Sequence, residues 1–338
     1  MGQLSLRGAE ATKQSLNYKI FMSILITKET QVLVQGMTGK EGQKAAKAML
    51  DYHTKVVCGV TPGKGGQDVE GKPIFNSVKE AVQFIESSED PSLVETLPQP
   101  SPTRGGGSLV TAIFVPPFAA KAAILEAIDN DIPLINAIVE RIPIQDTAYC
   151  LAAAKEKNIR IIGPSSLGLI VPGVGRIGVV GGPLVNEIFQ PGSVCVISRS
   201  GGMTNELSWQ IRKAGMGQST AVHVGGDLLM GTTYSDLLRL FEKDEQTKVV
   251  AIFGEHGGSY EFEIVDLIKN KEYTKPLAIF VGGKFANMFP EGMNIGHAGA
   301  IVGRGQGAAE KEAALREVGV MIAERYEDLV ELVKTYSI

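Results

Sequence analysis

Short apolar runs rich in β-branched residues alternate with amphipathic segments along most of the chain, beginning at Gln31. A buried parallel strand produces such a run, and the helix that crosses back over the sheet produces the amphipathic segment. The alternation therefore predicts βαβ units and an α/β fold. The predicted strands of the first series are Gln31–Val34, Lys55–Val60, Thr111–Val115, Leu134–Val139 and Arg160–Ile162. The predicted helices are Gln43–Asp51, Val78–Glu86, Lys121–Asn130 and Gln145–Lys157.

A second series follows a glycine-rich stretch after Pro164, which we interpret as a connection between two domains. Its predicted strands are Val194–Ile197, Ser219–His223, Val249–Phe253 and Leu277–Val281. Its predicted helices are Met203–Ala214, Ser235–Glu242, Glu261–Asn270, Ala308–Glu317 and Glu327–Lys334. We expect a Rossmann-like domain over residues 22–168 and a second α/β domain over 169–338. Residues 1–21 are predicted to be an extension without the apolar core of a secretory signal, and residues 87–108, rich in Pro and Gly, an insertion.

Composition and charge exclude several classes of protein. A net charge of −4 leaves no basic surplus for a nucleic-acid backbone, so we predict no nucleic-acid partner. Every apolar run is interrupted before the roughly 18 residues of a membrane span, so no membrane association is expected. The three cysteines are far apart, which argues against disulfides and zinc and fits a reducing cytoplasm.

Glycines are unusually frequent, with 40 in 338 residues, and several cluster directly after predicted strands. Gly36–Gly42 reads GMTGKEG and opens a helix, so its backbone N–H groups can bind a phosphate. Lys64 lies in a second cluster, TPGKGG, and can reach the same ligand. The spacing GxxGxxG differs from GxGxxG, which disfavours an NAD-dependent dehydrogenase. A tight turn without any ligand is the alternative interpretation of the first cluster.

A further Ser/Gly turn, Ser200 to Gly202, begins a helix after the predicted strand Val194–Ile197 and forms a second candidate anion site. A serine nucleophile is disfavoured because the order GxSxG is absent. His297 lies among small residues in GHAGA, where an imidazole is accessible enough to attack phosphorus. Glu255, in GEHGG after another strand, is the predicted carboxylate that orients it.

The other histidines receive weaker predictions. His256 is a second candidate beside Glu255, whereas His53 and His223 are expected to be structural or solvated. The sequence has no pair of histidines at metal-ligand spacing, so no metal site is predicted in this chain.

From Met22 onward the sequence resembles the alpha subunit of succinyl-CoA synthetase, and the corresponding part of ATP-citrate lyase and citryl-CoA synthetase. The resemblance rests on MSILITKET, GMTGKEG, GVTPGKGG, GQST, FEKDEQT, GEHGG and, above all, GHAGAIV, in this order. It implies an N-terminal Rossmann-like CoA-binding domain followed by a flavodoxin-like ligase domain. It also implies a partner, an ATP-grasp beta subunit that binds ATP or GTP with Mg²⁺.

The resemblance implies site residues as well. Those that bind coenzyme A would be Thr38, Gly39, Lys40, Glu41, Lys64, Ile138, Val139 and Glu140. His297 would be phosphorylated transiently, with Glu255 as its partner, and the phosphoryl group would pass to a substrate carboxylate before CoA displaces phosphate.

The substrate, succinate or citrate, is left open by the sequence. The text SRSGGMTNE places Asn205 where succinate-using members have tyrosine, and Ser200, Gly201 and Gly202 line the same turn. The shorter Asn205 leaves room for a third carboxylate, as the citrate-using members require. A non-catalytic CoA-binding module is the alternative class, which the intact GHAGA and GEHGG motifs disfavour.

Overall fold

The computed structural model describes residues 25–88, 109–288 and 307–337, and it confirms the α/β class with two seven-stranded sheets flanked by helices. The predicted extension at 1–21, nearly all of the predicted insertion and His297 lie outside the described residues. Within the described residues, no helix is long and apolar enough to cross a membrane.

The first sheet contains β1 to β7, and every strand pair in it is parallel except β3 with β4. The strands are β1 Gln31–Gln35, β2 Lys55–Val60, β3 Asp68–Val69, β4 Lys72–Phe75, β5 Leu109–Ile113, β6 Leu134–Ala137 and β7 Arg160–Ile162. Their order across the sheet is β3-β4-β2-β1-β5-β6-β7. The helices are α1 Lys40–Asp51, α2 Val78–Glu86, α3 Pro117–Asp129 and α4 Ile144–Glu156.

The second sheet contains β8 to β14 in the order β14-β13-β12-β10-β11-β8-β9. The strands are β8 Gly168–Val171, β9 Gly175–Gly178, β10 Pro191–Ser198, β11 Gln218–His223, β12 Val249–Glu255, β13 Leu277–Gly282 and β14 Met321–Ile322. The helices are α5 Val185–Ile188, α6 Gly201–Lys213, α7 Tyr234–Glu242, α8 Tyr260–Lys269, α9 Ala308–Glu317 and α10 Asp328–Lys334. Short 3₁₀ turns cover Gly182–Leu184 and Lys284–Met288.

The glycine-rich stretch after Pro164 is not a simple connection, contrary to our interpretation. It forms the β8–β9 hairpin, which adds to the second sheet antiparallel to β11. Gly168 shows why glycine occurs inside a strand here, since its φ is +104° and a Cβ would lie 1.9 Å from the carbonyl oxygen of Ile177. Glycines that permit this close approach of strands also occur frequently in loops, so the glycine-rich sequence was interpreted as a connection instead of a hairpin.

The two sheets are joined through α1 and the β8–β9 hairpin. Thr54 Oγ donates to the carbonyl of Arg176 at 3.0 Å and accepts from its N–H at 2.9 Å. The N–H of Gly178 donates to Met49 Sδ at 3.4 Å, and buried residues of both sheets belong to one apolar core. Helix α1 is therefore fixed against the second sheet, and so is the glycine loop that precedes it.

Candidate active site

The predicted phosphate-binding loop lies at the topological switch point of the first sheet. Strand β1 connects to β2 on one side, and β5 lies on its other side, so a crevice opens at the carboxyl end of β1. The loop Gly36–Gly42 leaves β1 at this point and enters α1. The structure thus places Thr38, Gly39, Lys40 and Glu41 where open α/β sheets bind ligands.

The loop that carries Lys64 lies beside this glycine loop. The N–H of Gly36 donates to the carbonyl of Val60 at 2.7 Å, and the N–H of Thr38 donates to Thr61 Oγ1 at 3.4 Å. Lys64 follows within the same turn, and its own N–H donates to the Thr61 carbonyl at 3.0 Å. Its side chain is exposed, and its reach to a ligand at the start of α1 stays a prediction.

Helix α1 begins without a side-chain cap, because its N-cap residue is Gly39. The exposed residues Lys40 and Glu41 form its first turn, where unpaired backbone N–H groups and the helix dipole favour an anion. Glu41 forms an ion pair with Lys44 at 3.1 Å, so its charge is partly balanced at the surface. This helix start can hold a phosphate of a nucleotide-type ligand.

Residues 138–140 lie at the same edge, after β6, which is two strands from β1. The side chain of Val139 is buried, and its carbonyl accepts from the N–H of Ser165 at 2.9 Å. Ile138 is half-buried and Glu140 is exposed, and the Glu140 carboxylate accepts from Ser165 Oγ at 3.2 Å. Ile138 and Glu140 can therefore meet a ligand through their side chains, whereas Val139 mainly supports the turn.

Gly42 tests the geometry of this loop, because it lies where α1 passes closest to the preceding turn. A Cβ there would lie 2.2 Å from the carbonyl oxygen of Gly36, which is backbone and cannot rotate away. We expect Gly42→Ala to lower the free energy of unfolding by about 3 kcal/mol, and to weaken CoA binding by about tenfold. Lys47→Ala, an exposed change further along the same helix, should alter neither quantity. If calorimetry gives the Gly42→Ala variant the same CoA affinity as wild type, the loop Gly36–Gly42 does not bind CoA.

The second candidate site lies at the switch point of the second sheet. Strand β10 connects to β11 on one side and β12 lies on the other, so the carboxyl ends of β10 and β12 are adjacent. Glu255 is the last residue of β12, and Ser200 follows β10 by two residues. The sheet therefore brings together the predicted carboxylate and the predicted anion-binding turn.

The start of α6 is capped by its own sequence. Ser200 is the N-cap, and its Oγ accepts from the N–H of Met203 at 3.4 Å. Gly201 is half-buried, while Gly202 is exposed with no atom near the position of a Cβ. One N–H of the helix start is thus occupied, and the open space at Gly202 leaves access for an anion.

Asn205, one turn further along α6, is already engaged. Its Oδ1 accepts from the N–H of Gly181 at 2.9 Å, which ties α6 to the turn after β9. The sequence prediction left the whole amide for a substrate. The structure leaves only its Nδ2 side, with the amide orientation fixed by Gly181.

Glu255 is buried, and both polar groups of its backbone are held. Its N–H donates to Glu261 Oε1 at 3.2 Å, and its carbonyl accepts from Lys311 Nζ at 2.8 Å. The predicted nucleophile, His297, lies outside the described residues, within the segment that joins Met288 to Gly307. Lys311 lies in the first turn of α9, the first described helix after that segment, and contacts Glu255.

The other two described histidines near this edge are buried. His256 is 5% exposed, and its ring lies edge-on to Phe285 with 6.4 Å between centroids. His223 accepts from the N–H of Leu167 at Nδ1, at 2.7 Å, so the proton must be on Nε2, which donates to the carbonyl of Arg199 at 2.9 Å. His223 therefore has a structural role, as predicted.

Comparisons with known proteins identify the family. A family described as "CoA binding domain" matches residues 27–103, and one described as "CoA-ligase" matches residues 197–335. The succinate–CoA ligase [ADP-forming] subunit alpha of Aquifex aeolicus is 42% identical over 309 residues, which cover 90% of this chain and 91% of that protein. The chain belongs to the succinate–CoA ligase alpha-subunit family. Subunit alpha 1 of Archaeoglobus fulgidus is 40% identical, over 93% of this chain and 98% of its own length.

Solved structures related to this succinate–CoA ligase family member include ATP citrate lyases. The enzyme of Methanothrix soehngenii, in complex with citrate and coenzyme A, superposes with a TM-score of 0.80 at 25% identity. That of Methanosaeta concilii, in complex with (3S)-citryl-CoA, gives a TM-score of 0.79. Each match covers 93% of this chain and 50% of the other, so the chain spans about half the length of these ATP citrate lyases.

Sequence reasoning missed three buried charged residues in the ligase domain of this family member. Lys311 and Glu261 form an ion pair with both side chains fully buried, and Lys311 occupies the buried stripe of α9 with Ala308 and Leu315. That spacing was the available signal, because a lysine among apolar positions of a helix needs an internal partner. Arg199 is also fully buried, and its Nη2 donates to the carbonyl of Asp227 at 2.9 Å.

Burial lowers the pKa of Lys311 below its usual value, and the adjacent Glu261 carboxylate opposes that shift. The described residues contain no cluster of three or more His, Cys, Asp or Glu side chains that could hold a metal ion.

Proposed function

We propose that the chain is the CoA-binding, phosphoryl-carrying alpha subunit of an acid–CoA ligase that converts succinate, CoA and ATP into succinyl-CoA, ADP and phosphate. One observation carries the proposal: two glycine-lined switch points, one suited to a nucleotide-type ligand and one with a buried carboxylate, occur in a chain that is 42% identical to a succinate–CoA ligase alpha subunit. ATP is the favoured donor because the relatives are named as ADP-forming ligases, and GTP is the alternative.

Coenzyme A is assigned to the first sheet. The uncapped start of α1 supports binding of its phosphates by Thr38, Gly39, Lys40 and Glu41, and the exposed Lys64 supplies a positive charge beside them. Ile138, Val139 and Glu140 would then line the path of the rest of the molecule. These groups fit the ligand because backbone donors, a flexible cation and open space occur together at one edge.

The chemistry is assigned to the second sheet and His297. An imidazole nitrogen of His297 would attack the γ-phosphorus of ATP, forming an N–P bond and releasing ADP. A carboxylate oxygen of succinate would next take the phosphoryl group and free the histidine. The CoA thiolate would then attack the acyl carbon and displace inorganic phosphate. Glu255 would hold the imidazole by its second nitrogen, and the start of α6 with Ser200, Gly201 and Gly202 would stabilise the transferring anion.

A partner subunit is required, because the relatives are named as alpha subunits. We assign the binding of ATP and Mg²⁺ to this beta subunit, with an ATP-grasp fold. Mg²⁺ would neutralise charge on the phosphates during transfer. We also infer a reducing compartment such as the cytoplasm, because all three cysteines are free and buried. Burial raises the pKa of the Cys58 thiol to about 12, so this thiol does not ionise at neutral pH.

Citrate is the second candidate substrate, and Asn205 is the observation that favours it. The bond from Gly181 fixes the amide so that Nδ2 remains to donate to a further carboxylate or hydroxyl group. The ATP citrate lyases that superpose on 93% of the chain agree with this alternative. The higher identity to named succinate–CoA ligases supports succinate as the main substrate.

The test is turnover by the complete complex. The chain, co-purified with its beta subunit, should release more than one ADP per site only when CoA and succinate are both present, and we expect citrate to be used at least about tenfold less well. Citrate-dependent release with little response to succinate would overturn the main substrate and favour the alternative. Tight CoA binding without ADP release with either acid would favour the non-catalytic module.

A further inference from the structure

A fully buried ammonium group lies beside the backbone of Glu255, the residue predicted to orient the histidine. Lys311 is in the first turn of α9, and its side chain has no exposed surface. Its Nζ donates to the carbonyls of Glu255 and Gly257, at 2.8 and 2.7 Å, and to Glu261 Oε2 at 2.5 Å. Three acceptors satisfy all three protons of an ammonium group, so this lysine has a defined position.

The acceptors show what Lys311 holds. Glu261, at the start of α8, accepts from Lys311 with one oxygen and from the N–H of Glu255 with the other, at 3.2 Å. The N–H and the carbonyl of Glu255 are therefore both held by this one ion pair. The pair thus holds, beside the pairing with β13, the backbone from which the Glu255 side chain leaves the sheet.

The pair also joins the chain on the two sides of the site. Strand β12 ends at Glu255, whereas α9 begins just after the segment that contains His297. Lys311 thus connects the end of that segment to the residue that would orient its histidine.

Stability alone does not account for such a pair. Removing two charges from water is costly, and neutral residues of similar size often give a fold that is equally stable. We propose that Lys311, together with Glu261, is a positioning residue that fixes the orientation of the Glu255 carboxylate for phosphoryl transfer. This inference rests on the proposed function of Glu255 and His297.

The experiment separates positioning from stability with single and double variants in the complex with the beta subunit. Lys311→Met leaves Glu261 buried without a cation, and should lower the melting temperature by about 5–10 °C. The double variant Lys311→Met/Glu261→Gln removes both charges, and should recover most of that loss. It still cannot donate to the carbonyls of Glu255 and Gly257, so positioning stays impaired.

The decisive readout is the single-turnover rate of labelling from γ-labelled ATP, measured beside the dissociation constant for CoA. We expect the double variant to be labelled at least about tenfold more slowly while its CoA affinity is unchanged, because the CoA site is on the other sheet. Arg316→Met/Glu324→Gln removes a surface ion pair between α9 and the turn after β14, and should leave both values at wild type.

Each outcome decides the matter. Full labelling by the double variant overturns the inference, and so does a loss of CoA affinity in proportion to the rate, which indicates a general structural role. Should the double variant fail to fold, Glu261→Gln alone replaces it, because glutamine keeps an acceptor oxygen for the N–H of Glu255. A labelling rate between those of wild type and Lys311→Met supports positioning. A labelling rate equal to that of Lys311→Met contradicts it. A wild-type complex that takes up no label overturns the proposed function itself.

Discussion

Replacing His297 with asparagine is expected to abolish labelling of this chain by γ-labelled ATP and to lower turnover of the complex by at least about 10⁴-fold. The physical reason is that asparagine retains similar size and polarity but offers no nucleophilic ring nitrogen. The measurement is acid-labile, base-stable label on the alpha chain, followed by mass spectrometry of the labelled peptide. CoA affinity should be unchanged, because the proposed CoA site is on the first sheet.

His53→Asn is the matched control, since His53 is exposed at the end of α1 and remote in sequence from both candidate turns of the second sheet. Its labelling should equal that of wild type. Persistent label in the His297→Asn chain would assign the phosphoryl group to another residue, with His256 as the next candidate.

The second large effect is expected for Glu255→Gln. Glutamine keeps the shape of the side chain but cannot supply the negative charge that orients the imidazole and stabilises its cationic form. We expect the rate of histidine phosphorylation to fall by about 10²–10³-fold, with CoA affinity unchanged. Rapid-quench measurement of the labelling rate with the beta subunit present gives this value directly.

Glu242→Gln provides the control for loss of a bonded carboxylate. Glu242 accepts from both the N–H and the Oγ1 of Thr274, so its change should affect stability but not labelling. A Glu255→Gln complex that is labelled at the wild-type rate would show that this carboxylate does not act on the histidine.

The strand–helix alternation was sufficient to predict the class and most elements, and several bounds agree with the structure: Lys55–Val60, Val78–Glu86, Arg160–Ile162 and Ala308–Glu317. These segments carry their own signals, such as the Ser77 cap of α2, whose side chain accepts from the N–H of Glu80. Their length is set locally, so the sequence specifies it.

Where tertiary contacts determine the ends of an element, the predicted bounds were less accurate. Strand β12 runs two residues further than predicted, to Glu255, because β13 continues beside it and pairs Glu255 with Gly282. Helix α1 begins three residues earlier than predicted, at Lys40, since its first turn has no apolar periodicity of its own. The β8–β9 hairpin was missed because its glycines serve a close strand approach that only the fold explains.

The candidate sites show the same division. Glycine clusters after strands located both turns from the sequence, because a tight turn before a helix has few solutions. The identity of the partner of Lys311 was not predictable, because Lys311 and Glu255 are more than fifty positions apart in the sequence. Likewise, nothing in the motif around Asn205 indicated that Gly181 would occupy its amide oxygen.

Phosphoryl transfer through this chain is tested most directly by labelling the complex with γ-labelled ATP, removing the free nucleotide, and following the label on the alpha chain. We expect the label to stay on the chain with CoA alone, to pass no further than bound succinyl phosphate with succinate alone, and to be lost as inorganic phosphate when both are added. One succinyl-CoA should form for each phosphate released. Label that survives the addition of both, or that leaves without forming an acyl-CoA, would contradict the claim that this chain carries the phosphoryl group between nucleotide and substrate.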